Sequence, residues 1–372
     1  MTFCLITHVP HGFQNGEYYA YSPYVREMNI WANYVDKIIV VAPLTLKNKT
    51  AIEIPYSHQN IDFRTVASYH FLSLQSALQS MFKLPKVVLE IYKAMRQADH
   101  IHLRCPGNMG LLGCLVQVLF PSKPKTAKYA GNWDLKAKQP LSYRLQKWIL
   151  SNTFLTKNMQ VLVYGEWENS TKNIKPFFTA SYFEKDKIAV SPKPLTGKIS
   201  FVFVGTLSNG KQPLYAIQLV EQLYKKGHDV ALTVFGEGAE RKSLEEYIKI
   251  NHLESIISLQ GNQNQETVKE AYIKNHFVVL PSLSEGWPKV IAEGMFWGCL
   301  PIASPVSCVP NMLDNGNRGL LLELQLANDV AQIESMITDE KRYQTQVNSA
   351  IQWSRQYTLD VFENEIKQLL QS

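Results

Sequence analysis

Short β-branched and apolar runs alternate with helix-length amphipathic stretches along almost the whole chain, an order that few architectures accept. Residues 3–7, 37–42, 100–103 and 160–163 have the composition of buried strands, and 24–34, 85–97, 109–120 and 142–151 carry the helical period. Strands that alternate with helices are joined by crossovers, which predicts a parallel sheet with helices on both faces. A break follows at 191–198, where Pro192, Pro194 and Gly197 suit a linker. The alternation then restarts: strands at 199–204, 231–235, 256–259, 277–280 and 300–304 are separated by helices at 213–226, 241–251, 265–275 and 288–297. Helical pattern resumes from Asp329, and a last helix at 359–370 closes the chain. The expectation is an α/β protein of two Rossmann-like, doubly wound domains facing across a cleft. The first covers 1–190, the linker 191–198 and the second 199–356, with the terminal helix, about 357–372, packing back on the first. Ligands of such sheets sit at the carboxyl ends of the strands.

Composition fits this plan. A length of 372 residues exceeds one ordinary core, and 45% hydrophobic with 19% charged residues is a globular mixture without low-complexity blocks. The N-terminus runs from Met1 into a strand without the basic and long apolar regions of a signal peptide. The longest nearly apolar run, 109–120, is short of the ~20 residues a membrane span requires. Five cysteines, none in a C-x-x-C pair, read as reduced core thiols of a cytoplasmic protein. A net charge of +6 and a pI near 8.8 lie below what a dedicated nucleic-acid binder carries, so no nucleic-acid partner is expected. The basic excess gathers between Pro121 and Pro140, where Lys123, Lys125, Lys128, Lys136 and Lys138 face only Asp134. A solvated lysine-rich loop is one reading; attraction to anionic lipid headgroups or a phosphorylated acceptor is the other.

The stretch 281–301 carries the chemistry. Pro281-Ser282-Leu283-Ser284-Glu285-Gly286-Trp287-Pro288 forms a strand-to-helix loop, with Pro288 suited to the first helical turn. Glu285 then stands in the loop and Glu293 within the helix. The N–H groups of a first helical turn make an anion site. A diphosphate docked there would bring its sugar towards Glu285 and its ribose towards Glu293. Two glutamates eight positions apart are common, and each alone reads as a surface carboxylate. The flanking Pro-Ser, Glu-Gly and Gly298-Cys299-Leu300-Pro301-Ile302 make the pattern specific.

That segment resembles the E-x7-E region of the retaining glycosyltransferases of family 4, which have the GT-B architecture. The resemblance extends over the second half. It includes Phe201-Val202-Phe203-Val204-Gly205-Thr206-Leu207 with Lys211, and Val234-Phe235-Gly236-Glu237-Gly238 with Arg241 and Leu244. Leu259-Gln260-Gly261 and Asn315-Gly316-Asn317-Arg318-Gly319 continue it in order. The resemblance implies catalytic roles for Lys211, which would stabilise the diphosphate leaving group, and Glu285, which would hold the sugar hydroxyls. It implies donor binding by Gly205, Thr206, Gly236, Gly261, Gly286, Lys289, Val290 and Glu293. Thr206 departs from the family, which usually has arginine there; Lys289 and Arg241 are the candidates to compensate.

The first half resembles the family less. Ala98-Asp99-His100-Ile101-His102-Leu103-Arg104 looks like its Asp-x-x-His strand end, and the position of the usual active-site histidine is Arg104. His102 and Arg104 are both catalytic candidates, and a satisfied core histidine is the plain reading of His102. His8, His11, Gly12 and Gly16 follow the first strand, where this fold brings a loop over the donor; an ordinary turn is the alternative. Residues 129–134 are a further candidate for the acceptor side. The chain has no D-x-D triplet, so the expectation is metal-independent transfer with no cofactor. The donor expected is a nucleotide diphosphate sugar, a UDP-sugar above others. The acceptor expected is a glycan or lipid-linked molecule of capsule, lipopolysaccharide or other envelope polysaccharide synthesis, met at the inner face of the membrane with peripheral membrane contact. The competing readings are a GT-B epimerase or phosphorylase, and an inactive nucleotide- or carbohydrate-binding protein.

Overall fold

Parallel strands need crossovers, and the order in which the crossovers stack decides where the ligand-facing loops open. The structure, a computed structural model, describes residues 1–47, 49–50, 52–66 and 74–371; for 74–83 only the backbone is described. Two units result: Met1–Phe177 with Glu363–Ser372, and Phe178–Phe362.

The first unit holds a seven-stranded sheet in the order Ile174–Phe177, Met159–Tyr164, Lys125–Tyr129, His100–Cys105, Thr2–Ile6, Lys37–Pro43, Ile61–Val66. Every pairing is parallel. The chain's first strand lies between Lys37–Pro43 and His100–Cys105, so the strand order reverses beside it. The segments after Ile6 and Cys105 therefore open at the switch point. Ile39, Val41, Leu103, Ala127 and Val161 pack with Ile91 and Met95 of helix Leu74–Gln97 and Met109 and Cys114 of helix Asn108–Val116. Helix Leu74–Gln97 begins earlier than the expected 85 and contains Pro85, at the loss of one backbone hydrogen bond. A small antiparallel sheet, Gly12–Gln14, Glu17–Tyr21 and Glu53–Pro55, stands apart from the main one.

The lysine-rich stretch 121–140 is not a solvated loop as a whole. Residues Lys125–Tyr129 are a strand inside the sheet, with Lys125 and Lys128 only 2% and 1% exposed. Lys125 Nζ donates to the Phe120 carbonyl at 2.8 Å, and burial lowers its pKa to about 8. Lys123 donates to the Arg96 and Ala98 carbonyls. A buried ammonium persists where it finds such acceptors, so two of the five lysines bond the protein's own carbonyls and a third, Lys128, faces the Glu27 carboxylate.

The second unit repeats the scheme with six parallel strands in the order Ile257–Gly261, Val230–Phe235, Ile199–Val204, Phe277–Leu280, Leu300–Ala303, Leu320–Leu321. Its switch point lies between Ile199–Val204 and Phe277–Leu280. The Pro-rich stretch 191–198, expected as a linker, packs within this unit: Lys193 Nζ donates to the Gly298 carbonyl at 3.0 Å and the Leu195 amide to Glu340 at 2.8 Å. Of the last helix, Leu359–Gln371, residues from Glu363 onward count with the first unit, where Tyr34 donates to Glu363 and Lys175 pairs with Glu365.

Candidate active site

Two loops at the switch point of the second unit build the site. Strand Ile199–Val204 ends at Gly205, whose amide donates to the Phe235 carbonyl at 3.0 Å. The Leu207 amide donates to the Glu237 carbonyl, and the Glu240 amide to the Leu207 carbonyl, so the turn after Gly205 is laced to the turn after Phe235. Gly236 makes this possible. It sits at φ 140°, and a Cβ there would lie 1.8 Å from the Gly205 carbonyl oxygen. Its own amide donates to the Gly261 carbonyl at 2.8 Å, which joins the third strand end.

Beyond Leu207 the chain makes one 3-10 turn, Asn209–Lys211, before helix Pro213–Lys225. The Leu283 amide donates to the Gly210 carbonyl at 2.9 Å and ties this turn to the loop after Phe277–Leu280. Lys211 and Glu285 meet there, Nζ to Oε1 at 2.5 Å, with the Glu285 side chain 8% exposed and that of Lys211 32%. The Gly286 carbonyl accepts from Ser307 Oγ at 3.1 Å and from Cys308 Sγ at 3.2 Å. Burial pushes the Cys308 thiol up to about 12, so it keeps the proton it donates.

Helix Lys289–Phe296 starts one residue later than expected, with Pro288 as its cap, and its first backbone bonds run from Ile291 and Ala292 to the Pro288 carbonyl. The Lys289 and Val290 amides precede those bonds, which is the geometry of a helix-start anion site. Glu293 lies a turn further on. Ser181 Oγ donates to its Oε1 at 2.5 Å, and the Tyr272 hydroxyl to its Oε2 at 3.4 Å. Burial, followed by the Glu293 charge, holds the Tyr272 pKa well above its usual value. Thr206 is exposed. Arg241 does not make good its missing charge, because it pairs with Glu237 at 2.9 Å and Glu245 at 2.6 Å.

In the first unit, Arg104 at its strand end pairs with Glu27 of helix Ser22–Ala32 at 2.5 Å, and Lys128 reaches the same carboxylate oxygen at 3.4 Å. Burial opposes the Arg104 charge, but Glu27 and the Tyr164 and Tyr24 hydroxyls outweigh it and raise its pKa. His102 is a core residue: its Nδ1 lies 2.8 Å from Thr126 Oγ1, its ring tilts against Trp31, and burial, then Arg104, holds it neutral. Its structural place therefore favours Arg104 as the residue at the strand end. His11 is buried too, between the Val9 carbonyl and the Tyr56 hydroxyl. His8 stands against Gly107 at the unit's switch point. Gly12 and Gly16 belong to a hairpin, Gly12–Gln14 with Glu17–Tyr21, rather than to an open loop. Its turn is Asn15-Gly16, with φ 55° and 84°.

Ser181, Tyr272, Ser307 and Glu27 were not among the residues singled out from sequence. Each acts through a contact between distant segments, and no local pattern signals such a contact. Among the described residues, no group of three or more His, Cys, Asp or Glu side chains is placed to hold a metal ion.

The family model of glycosyl transferases group 1 matches residues 184–353. The UDP-N-acetylglucosamine--peptide N-acetylglucosaminyltransferase GtfA subunit of Limosilactobacillus reuteri subsp. suis is 28% identical over 37% of this chain and 25% of its own length. The GalNAc-alpha-(1->4)-GalNAc-alpha-(1->3)-diNAcBac-PP-undecaprenol alpha-1,4-N-acetyl-D-galactosaminyltransferase of Campylobacter jejuni subsp. jejuni is 24% identical over 51% of this chain and 55% of its own length. The chain thus spans a quarter to about half the length of these relatives. The crystal structure of Anabaena Alr3699/HepE in complex with UDP and glucose shares the fold, with a TM-score of 0.67 at 14% identity over 100% of this chain and 99% of that one. The family likeness is carried by residues 184–353, less than half of the chain, and the likeness to the solved structure is one of fold.

Proposed function

We propose that this chain moves a sugar from a nucleotide diphosphate donor, a UDP-sugar above others, to a glycan or lipid-linked acceptor of envelope polysaccharide synthesis. The anomeric configuration is retained and no metal is needed. The observation that carries the reading is the Lys211–Glu285 pair, 2.5 Å apart at the switch point beside the start of helix Lys289–Phe296. Lys211 places a fixed positive charge where the leaving diphosphate gains negative charge, and Glu285 accepts from the sugar hydroxyls. The first-turn amides of Lys289 and Val290 hold the phosphates, and Glu293 accepts from the ribose diol. No side chain is assigned as a covalent nucleophile, so departure and attack occur on one face of the sugar.

A donor panel tests this. Wild-type protein with UDP-, GDP- and ADP-sugars and a polyprenyl-diphosphate glycan should release nucleoside diphosphate from one of them, in the presence of EDTA, with the product's anomeric proton as in the donor by NMR. Lys211→Ala should lower kcat about 100-fold. A trapped glycosyl-enzyme adduct, or turnover with inorganic phosphate and no nucleotide sugar, contradicts the reading. One observation favours a second function, a nucleotide-binding protein without transfer: Thr206 leaves one family cation absent, and Arg241 is committed to Glu237 and Glu245. Nucleotide binding without turnover of any donor is its signature.

A further inference from the structure

Helix Leu141–Ser151 buries one side and exposes apolar residues on the other. Ile149 and Leu150 are in the core, while Leu141, Leu145 and Trp148 are 78%, 43% and 60% exposed. These three stand at i, i+4 and i+7, which is a single stripe along the helix. Leu135 before the helix is 73% exposed and Phe154 after it 76%. The helix packs on Asn108–Val116, where Leu115 is exposed, and the next turn exposes Leu119. Isolated exposed leucines need no explanation, but a stripe of this kind with a tryptophan and a phenylalanine does.

The charge around it has one sign. Between residues 108 and 160 the sequence holds eight Lys or Arg and one acid, Asp134, a local excess larger than the chain's net +6. Lys123, Lys125, Lys128 and Lys147 turn inward to carbonyls or to Glu27. Lys136, Lys138, Arg144 and Lys157 remain exposed around the stripe. Lys136, Lys138 and Arg144 also line a hollow of about 640 Å³ beside Leu135.

We infer that this face docks the protein on an anionic lipid bilayer, with Leu141, Leu145, Trp148 and Phe154 entering the interface and Lys136, Lys138, Arg144 and Lys157 meeting the headgroup phosphates. The occupant follows from the chemistry. Exposed Leu, Trp and Phe on a helix rimmed by lysine and arginine is the composition of an interfacial helix. The helix is also too short to cross, and among the described residues no helix is long and apolar enough to do so. The inference concerns the first unit alone and does not depend on what the second unit binds.

Vesicle co-sedimentation of the full chain tests it, with phosphatidylcholine alone and with equal parts of phosphatidylglycerol. Binding should require the anionic lipid and weaken with added salt. Each of K136Q, K138Q and R144Q should lower the partition coefficient about five-fold. Leu145→Glu with Trp148→Glu should lose binding altogether while keeping the wild-type thermal melt, because both positions are exposed. In brominated-lipid vesicles the wild type's tryptophan emission should be quenched, and Trp148→Phe should still sediment but with most of the quenching gone. Failure of the wild type to sediment with anionic vesicles overturns the inference, as does equal binding by the double glutamate variant. A dimer in sedimentation velocity that the double variant dissolves also overturns it, since a second copy would then cover the face.

Discussion

Lys211 and Glu285 are 74 positions apart and meet because both follow strands that flank the same switch point. The pairing leaves Glu285 nearly buried beside a cation. In the first unit two neighbouring histidines are buried without charge. His100 Nε2 and His102 Nδ1 share the Thr126 hydroxyl, and their other ring nitrogens have no hydrogen-bond partner. Burial lowers the His100 and His11 pKa values to about 4. Unfolded, each binds its proton near pH 6.5. Their contribution is therefore complete above pH 6.5 and is lost as pH falls towards 4, at about 1.4 kcal/mol per histidine for each pH unit within that window. Urea midpoints should drop between pH 7 and pH 5, and His100→Asn should flatten the slope; an unchanged slope would refute the assignment. Lys211, Glu285 and Glu293 stand out in the sequence through the family resemblance, since two glutamates eight positions apart are common by themselves. Their partners Ser181 and Tyr272, and Glu27 opposite Arg104, do not stand out there, since only the folded chain brings them together.

At the scale of elements, the strands and helices of the second unit follow their hydrophobic period closely, and the first unit departs from it more often, with the edge strands Ile61–Val66 and Ile174–Phe177 and the early start of helix Leu74–Gln97 beyond the expected elements. The Asn15-Gly16 turn is a two-residue hairpin with both residues at positive φ, the ordinary turn that the sequence leaves open beside a donor-covering loop. Strand Lys125–Tyr129 was hidden by its lysines, which read as polar although Lys125 and Lys128 are as buried as the alanine between them. The turns at the site depend on backbone approach more than on side chains. Gly236→Ala would set a Cβ against the Gly205 carbonyl at a positive φ. It should lower unfolding stability by about 2–4 kcal/mol. At Gly210 a Cβ meets nothing within 4 Å, and Gly210→Ala should cost less than about 0.5 kcal/mol. Equal denaturant midpoints for the two variants would contradict the close approach.

For the molecule as a whole, the α/β class and the tandem of two doubly wound units could be read from the alternation of runs alone. The division at Phe177 could not, because proline content does not distinguish a free linker from a packed segment. The central claim is that the second unit binds a nucleotide diphosphate through Glu293 and the start of helix Lys289–Phe296. Titration calorimetry of UDP, GDP and ADP into wild-type protein and Glu293→Ala tests it most directly. The account predicts that one nucleotide, UDP above others, binds the wild type and binds Glu293→Ala at least about ten-fold more weakly, a loss of about 1.4 kcal/mol. Binding of none of the three, or equal affinity in the variant, would contradict it.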